Sequence, residues 1–162
     1  MRLTSLIQNG FKVISNAIDG LKLLKNYKLF IVTNQSGIGR GFYKIGDFMN
    51  FNNHLLKELK KHNINIEKTY YCPHKPEDNC KCRKPKTKFL EEAVKEFKIK
   101  LKDSFVIGDK KEDVKMGKNA GCKTILVLTG YGMKAKNEIK PDYIAKDVVD
   151  AAKWILKNDK NQ

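Results

Sequence analysis

Short apolar segments of strand length alternate with amphipathic helical segments along this chain of 162 residues. Three of the apolar segments are nearly continuous, and they span Lys28–Thr33, Ser104–Gly108 and Lys123–Thr129. Such runs predict strands buried on both faces, and their alternation with helices predicts a parallel sheet covered by helices. No repeat, linker or low-complexity tract divides the chain, so we expect a single α/β domain over residues 1–162.

Helices are predicted where apolar residues recur with a period near 3.6, and shorter strands where brief apolar runs lie between them. The predicted helices cover 11–26, a segment that begins at Asp47, a segment whose N-cap is Thr87, 110–120 before Gly121, and 147–157. The additional strands are Lys68–Tyr71 and Asp142–Ala145. Gly20 is expected to weaken the first helix.

The chain is strongly basic, with 33 Lys+Arg against 18 Asp+Glu and a formal charge of +15. A basic surface attracts nucleic acid, anionic membranes or phosphorylated substrates. Only three of the cations are arginine, and the lysines form no long block, whereas specific nucleic-acid readers depend on arginine forks and aromatic stacking. No apolar run has the length of a membrane span, and the first residues do not resemble a signal peptide. We therefore expect a lysine-rich solvated surface, a cytoplasmic location, and neither membrane nor nucleic acid as partner.

Three of the four cysteines lie within eleven residues and have a histidine among them. The cluster consists of Cys72, His74, Cys80 and Cys82. Three thiolates and one imidazole suit tetrahedral Zn²⁺, and four protein ligands leave no open position. We therefore predict a structural zinc site in a loop over residues 72–84, with a disulfide as the alternative that a reducing compartment disfavours. Cys122 is expected to be a small buried residue near a strand.

Polar residues follow two of the predicted strands, at the end of the sheet where ligands bind in parallel α/β folds. Thr33, Asn34, Gln35 and Ser36 open a glycine-rich loop whose hydroxyl, amide and N–H groups can donate to phosphate oxygens. An ordinary polar loop is the alternative. Asp109 and Asp113 lie four residues apart and could hold Mg²⁺ together with a substrate phosphate, or could instead cap a helix.

The order of four segments resembles the histidinol-phosphatase and D,D-heptose 1,7-bisphosphate phosphatase branch of the haloacid dehalogenase-like (HAD) hydrolases. The segments are TNQSGIGRG (33–41), CPHKPEDNCKCRKPK (72–86), VIGDKKED (106–113) and LVLTGYG (126–132). The resemblance extends from about Phe11 to Gly132, and the Cys/His segment is its most specific part. It implies the HAD Rossmannoid fold, a parallel sheet flanked by helices with a minimal cap.

The resemblance also implies roles for single residues. Thr33 and Asn34 match the family's second motif, which binds the transferring phosphoryl group. Lys84 matches the third-motif lysine, which neutralises the charge on the phosphoryl group and its nucleophile, and Arg83 matches a residue that grips the substrate. Further contacts to phosphate are expected from Gln35, Ser36 and Lys110.

Two metals follow from the same resemblance. Asp109 matches the fourth-motif aspartate that ligates the catalytic Mg²⁺, with Asp113 as a further candidate ligand. The four residues of the Cys/His cluster match the family's zinc ligands. Lys84 and Asp109 are thus the predicted catalytic residues present in this sequence.

The family's first motif, D-x-D-G-T on the first strand, has no match. That motif supplies the nucleophilic aspartate, the general acid and two Mg²⁺ contacts, yet no aspartate precedes Asp19, which falls inside the predicted first helix. We therefore expect the first central strand to be missing, with a gap between the strands that end at Thr33 and Asp109. Leu3–Ile7 is too short to fill that gap. We favour an N-terminally incomplete domain over a degenerate one, because the downstream motif residues are all present.

The expected function is Mg²⁺-dependent hydrolysis of a small sugar phosphate by a monomer, with D-glycero-D-manno-heptose 1,7-bisphosphate favoured as substrate. Without the nucleophilic aspartate the chain as given should be inactive. Three alternatives remain open at this point. They are a histidinol-phosphate phosphatase, a non-catalytic phosphate-binding pseudoenzyme, and a polynucleotide 3′-phosphatase, which the basic charge favours and the Cys/His cluster disfavours.

Overall fold

The computed structural model describes residues 15–159, which fold into strands alternating with helices. The strands are β1 (Leu29–Asn34), β2 (Ile66–Cys72), β3 (Phe105–Gly108), β4 (Lys123–Val127) and β5 (Tyr143–Ala145). The α-helices are α1 (Ser15–Leu23), α2 (Ser36–Gly39), α3 (Ile45–Lys61), α4 (Lys88–Phe97), α5 (Lys111–Asn119), α6 (Gly132–Ala135) and α7 (Val148–Asn158). The predicted segment Leu3–Ile7 and the predicted start of the first helix lie outside the described residues.

The strands of the described chain form two separate parallel sheets rather than one. β1 pairs with β2 in one sheet, and β3, β4 and β5 pair in that order in the other. The parallel pairing confirms the predicted fold class. The division falls between β1 and β3, where the missing first motif predicted a gap.

Burial follows the same division. β4 is flanked by strands on both sides, and four of its five residues are buried. Every residue of β1 and β3 is only half-buried, because each of these strands lacks a hydrogen-bonded neighbour on one side within the described residues. The two sheets still share a core, since Tyr27 packs edge-on against Phe105 with ring centroids 6.4 Å apart.

The larger core lies between the β3–β5 sheet and helices α1 and α7. Its buried members are Leu24, Ile125, Val127, Ala145, Ala151, Ala152 and Ile155. Each large aliphatic side chain buried here contributes about 1.5–3 kcal/mol. Gly20 allows α1 and α7 to pack closely, because a Cβ at this position would lie 2.6 Å from the carbonyl carbon of Val148.

The second core joins the β1–β2 sheet to α4 and to the Cys/His loop. It consists of Tyr70, Cys72, Cys82, Phe89 and Ala93. Two of these residues are cysteines of the predicted metal site, so the loop is anchored in the domain. No helix in the part of the chain that the structure describes is long and apolar enough to cross a membrane.

Local details differ from the sequence predictions at element ends. Thr87 is the N-cap residue of α4 as predicted, but its hydroxyl bonds the Glu91 carboxylate at 2.6 Å instead of a backbone N–H. α3 begins two residues before Asp47, whose carboxylate accepts a hydrogen bond from the Lys44 N–H at 2.8 Å. Cys122 is 7% exposed and precedes β4, which confirms the prediction that it is buried.

Candidate functional site

The Cys/His cluster is formed by the end of β2 and the loop that follows it. His74 Nδ1 lies 3.6 Å from Cys72 Sγ and 3.4 Å from Cys82 Sγ. Cys80 Sγ lies 3.5 Å from Cys72 Sγ and 3.6 Å from Cys82 Sγ. All four ligand atoms lie within 4.8 Å of one another, so the predicted ligands come together in one place.

These separations fit a tetrahedral metal site. A tetrahedron with metal–sulfur distances of about 2.3 Å has edges of about 3.8 Å, close to the observed spacings. The described cysteines are all free thiols, so the disulfide alternative is not what the structure contains. The cluster could therefore hold a metal ion.

Backbone N–H groups lower the pKa of one thiol in the cluster. Burial alone would raise the pKa of Cys80, but the N–H groups of Cys82 and Arg83, together with the Cys72 thiol, lower it to about 7. Burial raises the pKa of Cys72 to about 12 and also raises that of Cys82. One thiolate is thus available near neutral pH, and a bound cation would favour the others.

After Cys82, the same loop contributes its next residues to a second site. Arg83 donates from Nη1 to the carbonyl of His74 at 3.2 Å, which ties its guanidinium to the cluster. The next residue, Lys84, donates its backbone N–H to Asn34 Oδ1 at 3.0 Å, and Asn34 Nδ2 donates back to the Lys84 carbonyl at 3.4 Å. The Asn34 side chain therefore holds the Lys84 backbone at the end of β1.

A cleft of about 650 Å³ opens at the carboxyl ends of β1 and β3. It brings together the predicted residues Thr33, Asn34, Ser36, Arg83, Lys84, Asp109, Lys110 and Asp113. Gln35 is the exception among the predicted phosphate ligands, because it lies behind Thr33 and does not line the cleft. Cys80 is part of the lining, so the cleft and the cluster adjoin each other.

Lys84, which lines this cleft, links β1 to α5. Its ammonium donates to the Val32 carbonyl in β1 and to Asp113 Oδ1 in α5, both at 2.6 Å. The side chains of Lys84 and Asp113 are only 13% and 9% exposed. An ammonium has three N–H donors, and these two bonds leave one of them for a ligand in the cleft.

Asp113 is oriented by donors on both of its oxygens. Oδ1 accepts from Lys84, and Oδ2 accepts from the backbone N–H of Lys110 at 3.1 Å. These contacts make Asp113 the partner that fixes Lys84. Its suggested role as a magnesium ligand stays a prediction.

Asp109 follows β3 and is held by a loop that the sequence reasoning did not include in the site. Its Oδ2 accepts the backbone N–H of Tyr131 at 3.0 Å. Gly130 stands beside it with a positive φ of 59°, and a Cβ there would lie 2.2 Å from the same oxygen. Lys110 Nζ lies 4.5 Å from the centre of the Tyr131 ring. Only the TGYG segment after β4 hinted at these contacts.

Comparison with known proteins places the chain in a family. Residues 81–151 match the HAD-hydrolase-like family model. D-glycero-beta-D-manno-heptose-1,7-bisphosphate 7-phosphatase from Haemophilus influenzae is 38% identical over 88% of this chain and 82% of its own length. The enzyme of the same name from Helicobacter pylori strain J99 is 42% identical over 80% of this chain and 73% of its own length.

Solved structures with the same fold agree. D,D-heptose 1,7-bisphosphate phosphatase from B. bronchiseptica, in complex with magnesium and phosphate, has a TM-score of 0.83 at 23% identity and covers 90% of this chain and 84% of its own. The corresponding Burkholderia thailandensis enzyme has a TM-score of 0.71 at 21% identity, covering 90% and 87%. The fold, the cleft and the sequence similarity lead to the same conclusion: the chain belongs to the heptose-1,7-bisphosphate phosphatase family of HAD-like hydrolases.

Proposed function

We propose that the cleft binds the phosphoryl group of D-glycero-D-manno-heptose 1,7-bisphosphate for Mg²⁺-dependent hydrolysis. The observation that carries this proposal is the convergence of Thr33, Lys84 and Asp109 in one cleft, although they lie on three separate segments. Relatives that share 36–42% identity with the chain and bear this activity in their names support the choice of substrate.

Each side chain has a distinct part in holding the phosphoryl group. The Thr33 hydroxyl and the free N–H of Lys84 donate to its oxygens, and Arg83 supplies a planar pair of donors to the remainder of the substrate. Donors fixed before the substrate arrives stabilise the developing charge without reorganisation. Asn34 contributes by keeping Lys84 in place.

Asp109 is the residue that would hold Mg²⁺. One of its oxygens accepts the Tyr131 N–H and so fixes the carboxylate, which leaves the other oxygen for a cation. Magnesium usually binds one or two carboxylates together with phosphate oxygens, and when bound it neutralises phosphate charge. The donor set therefore fits the ion.

We assign Zn²⁺ to the Cys/His cluster. Three thiols and one imidazole, with four of their separations at 3.4–3.6 Å and all within 4.8 Å, suit this ion, and the closed ligand set gives it a structural role. The metal would fix the loop from which Arg83 and Lys84 enter the cleft.

Four unbridged cysteines also support a reducing, cytoplasmic setting.

No residue in the sequence supplies the first-motif nucleophile, so we expect the 162-residue chain to bind phosphate without hydrolysing it. This makes a non-catalytic phosphate binder the second candidate function. The two candidates predict different results when a nucleophile-bearing strand is added to the chain.

The test compares the chain with a version extended at its N-terminus by a strand that ends in D-x-D-G-T. Phosphate release would be measured from heptose 1,7-bisphosphate, histidinol phosphate and a DNA 3′-phosphate, with Mg²⁺ present. We expect release only from the extended chain and fastest from the heptose bisphosphate. A matched extension ending in N-x-N-G-T should be inactive. Faster release from either other substrate would reassign the specificity, and no release from any substrate would favour the binder.

A further inference from the structure

A short chain of hydrogen bonds runs behind the cleft and ends on the Thr33 hydroxyl. Tyr43 Oη donates to Gln35 Oε1 at 2.7 Å, and Gln35 Nε2 donates to Thr33 Oγ1 at 3.0 Å. Thr33 lines the cleft, whereas Gln35 and Tyr43 do not. The three residues are partly buried, so water competes less for these bonds than it would at the surface.

The direction of this chain is given by the orientation of the Gln35 amide. Its oxygen faces Tyr43 and accepts the phenolic proton, whereas its nitrogen faces Thr33. The aromatic ring lies against Gly37, where an added Cβ would come within 2.2 Å of ring carbon Cε1. Only glycine allows this contact, and the ring is held with its hydroxyl facing the Gln35 amide.

That direction determines what Thr33 offers to a ligand. Because Tyr43 donates to the amide oxygen, the amide nitrogen must face Thr33 and donate to its oxygen. The Thr33 hydroxyl then accepts on its inner side and keeps its own proton for the cleft. Phosphate oxygens at neutral pH are acceptors, so this is the polarity that a phosphate site requires.

We propose that Tyr43, acting through Gln35, is a positioning residue that fixes the Thr33 hydroxyl as a hydrogen-bond donor to the phosphoryl group. The inference rests on the proposed phosphate site. It also moves Gln35 from a direct phosphate ligand to the middle of the chain. No sequence pattern pointed to Tyr43, because it lies in the loop between α2 and α3, outside the motif residues.

The test is a double-mutant cycle on phosphate affinity. Inorganic phosphate would be titrated calorimetrically, with Mg²⁺ present, into the wild-type chain, Tyr43→Phe, Thr33→Val and the double variant. Tyr43→Phe keeps the ring on Gly37 and removes only the hydroxyl group that orients the amide. We expect it to weaken phosphate binding about three- to tenfold, the size of one hydrogen bond between neutral groups.

Non-additivity separates positioning from a general structural effect. In the Thr33→Val background, Tyr43→Phe should have no further effect, because its influence passes through the hydroxyl that is already gone. Tyr143→Phe is the matched control, since it removes a phenol bonded to Asp150, away from the cleft, and should leave phosphate affinity unchanged. If Tyr43→Phe does not fold, Gln35→Met provides the same cycle with the same expected loss.

The outcomes are distinct. The positioning role would be overturned if Tyr43→Phe weakened phosphate binding equally in the wild-type and Thr33→Val backgrounds. It would also be overturned if Tyr43→Phe bound phosphate with wild-type affinity. A wild-type chain that binds no phosphate would instead show that the proposed phosphate site is wrong, and the inference would fall with it.

Discussion

The Cys/His cluster and the adjoining cleft are assembled in opposite ways. The ligands of the cluster lie on one segment between Cys72 and Cys82, and all of its ligand atoms are already together. The cleft takes its residues from the ends of β1 and β3 and from the loops beside them. We expect the cleft to depend on the cluster and not the reverse, because the loop that holds the cluster also contributes Arg83 and Lys84 to the cleft. Damage to the cluster should therefore reach the cleft, while damage to the cleft should leave the cluster intact.

The largest effect is expected from Cys82→Ser. It removes one of four metal ligands and also a buried member of the second core, so we expect loss of about one zinc per chain and several kcal/mol of stability. Phosphate binding should be lost with it. Metal content by mass spectrometry and denaturant unfolding give the measurements.

Cys122→Ser makes the same chemical change at a buried cysteine outside the cluster. This variant should keep its zinc and its phosphate affinity even if it is somewhat less stable. If Cys82→Ser kept a full equivalent of zinc, the assignment of the cluster would be wrong.

Lys84→Met tests the opposite direction. The variant leaves Asp113 buried without its cation, and breaking such a pair costs about 3–5 kcal/mol. Phosphate affinity should fall at least tenfold because the remaining N–H donor is lost, while zinc content should not change. Adding Asp113→Asn should restore part of the stability but none of the affinity. Loss of zinc in Lys84→Met would show that the two regions depend on each other equally.

Gly130→Ala should have a smaller effect, confined to the cleft. The substitution strains a backbone with φ of 59° and places a methyl group against Asp109 Oδ2, so we expect about 1–2 kcal/mol of destabilisation and weaker Mg²⁺ binding. Gly121→Ala is the matched control, because its φ of 76° imposes similar strain while nothing lies within 4 Å of the added Cβ. Equal Mg²⁺ affinity in the two variants would mean that the glycine loop does not hold Asp109.

The smallest effect is expected from a site that serves neither region. The Asp142 carboxylate accepts hydrogen bonds from the Thr124 N–H at 2.7 Å and from the Thr124 hydroxyl at 2.6 Å. Burial alone would raise the pKa of Asp142, but these bonds outweigh burial and lower it. A lowered pKa contributes stability above the unfolded value of 3.8, and that stability is lost as pH falls through the folded pKa. Solvent screening limits the contribution to less than about 1 kcal/mol.

Urea unfolding of Asp142→Asn should therefore show a small loss at pH 7 that shrinks below pH 4. Zinc content and phosphate affinity should equal those of the wild type. A loss that stays constant down to pH 3 would contradict the assigned role of the carboxylate.

The cluster could be predicted from sequence because its spacing is local. Four metal-ligating residues within eleven positions can meet without knowledge of the rest of the fold. The parallel arrangement of the strands also followed from a local signal, the apolar runs, although the ends of the strands shifted by one or two residues.

The contacts in the cleft could be predicted less well from the sequence, because they join residues that lie far apart along the chain. Lys84 and Asp113 lie 29 residues apart, and the family motifs placed both near the phosphate without indicating that they pair. The contacts of Tyr43 with Gln35 and of Tyr131 with Asp109 are made by loops whose paths depend on tertiary packing. Residue identity and spacing carry no information on such paths.

The gap between β1 and β3 is where the sequence prediction and the structure agree most closely. The absence of a first motif predicted that the sheet would divide at this point, and the strands of residues 15–159 do divide there. Within residues 15–159, β1 and β3 each have one strand edge with no paired strand, and a further parallel strand would pair there.

Diffraction from crystals of the chain soaked in Mg²⁺ and phosphate is the most direct test of the proposed phosphate site. We expect difference density for one phosphate in the cleft between β1 and β3, in contact with Thr33 Oγ1 and Lys84 Nζ, and for Mg²⁺ beside Asp109. A clear cleft at saturating phosphate, or a phosphate bound only elsewhere on the lysine-rich surface, would contradict it.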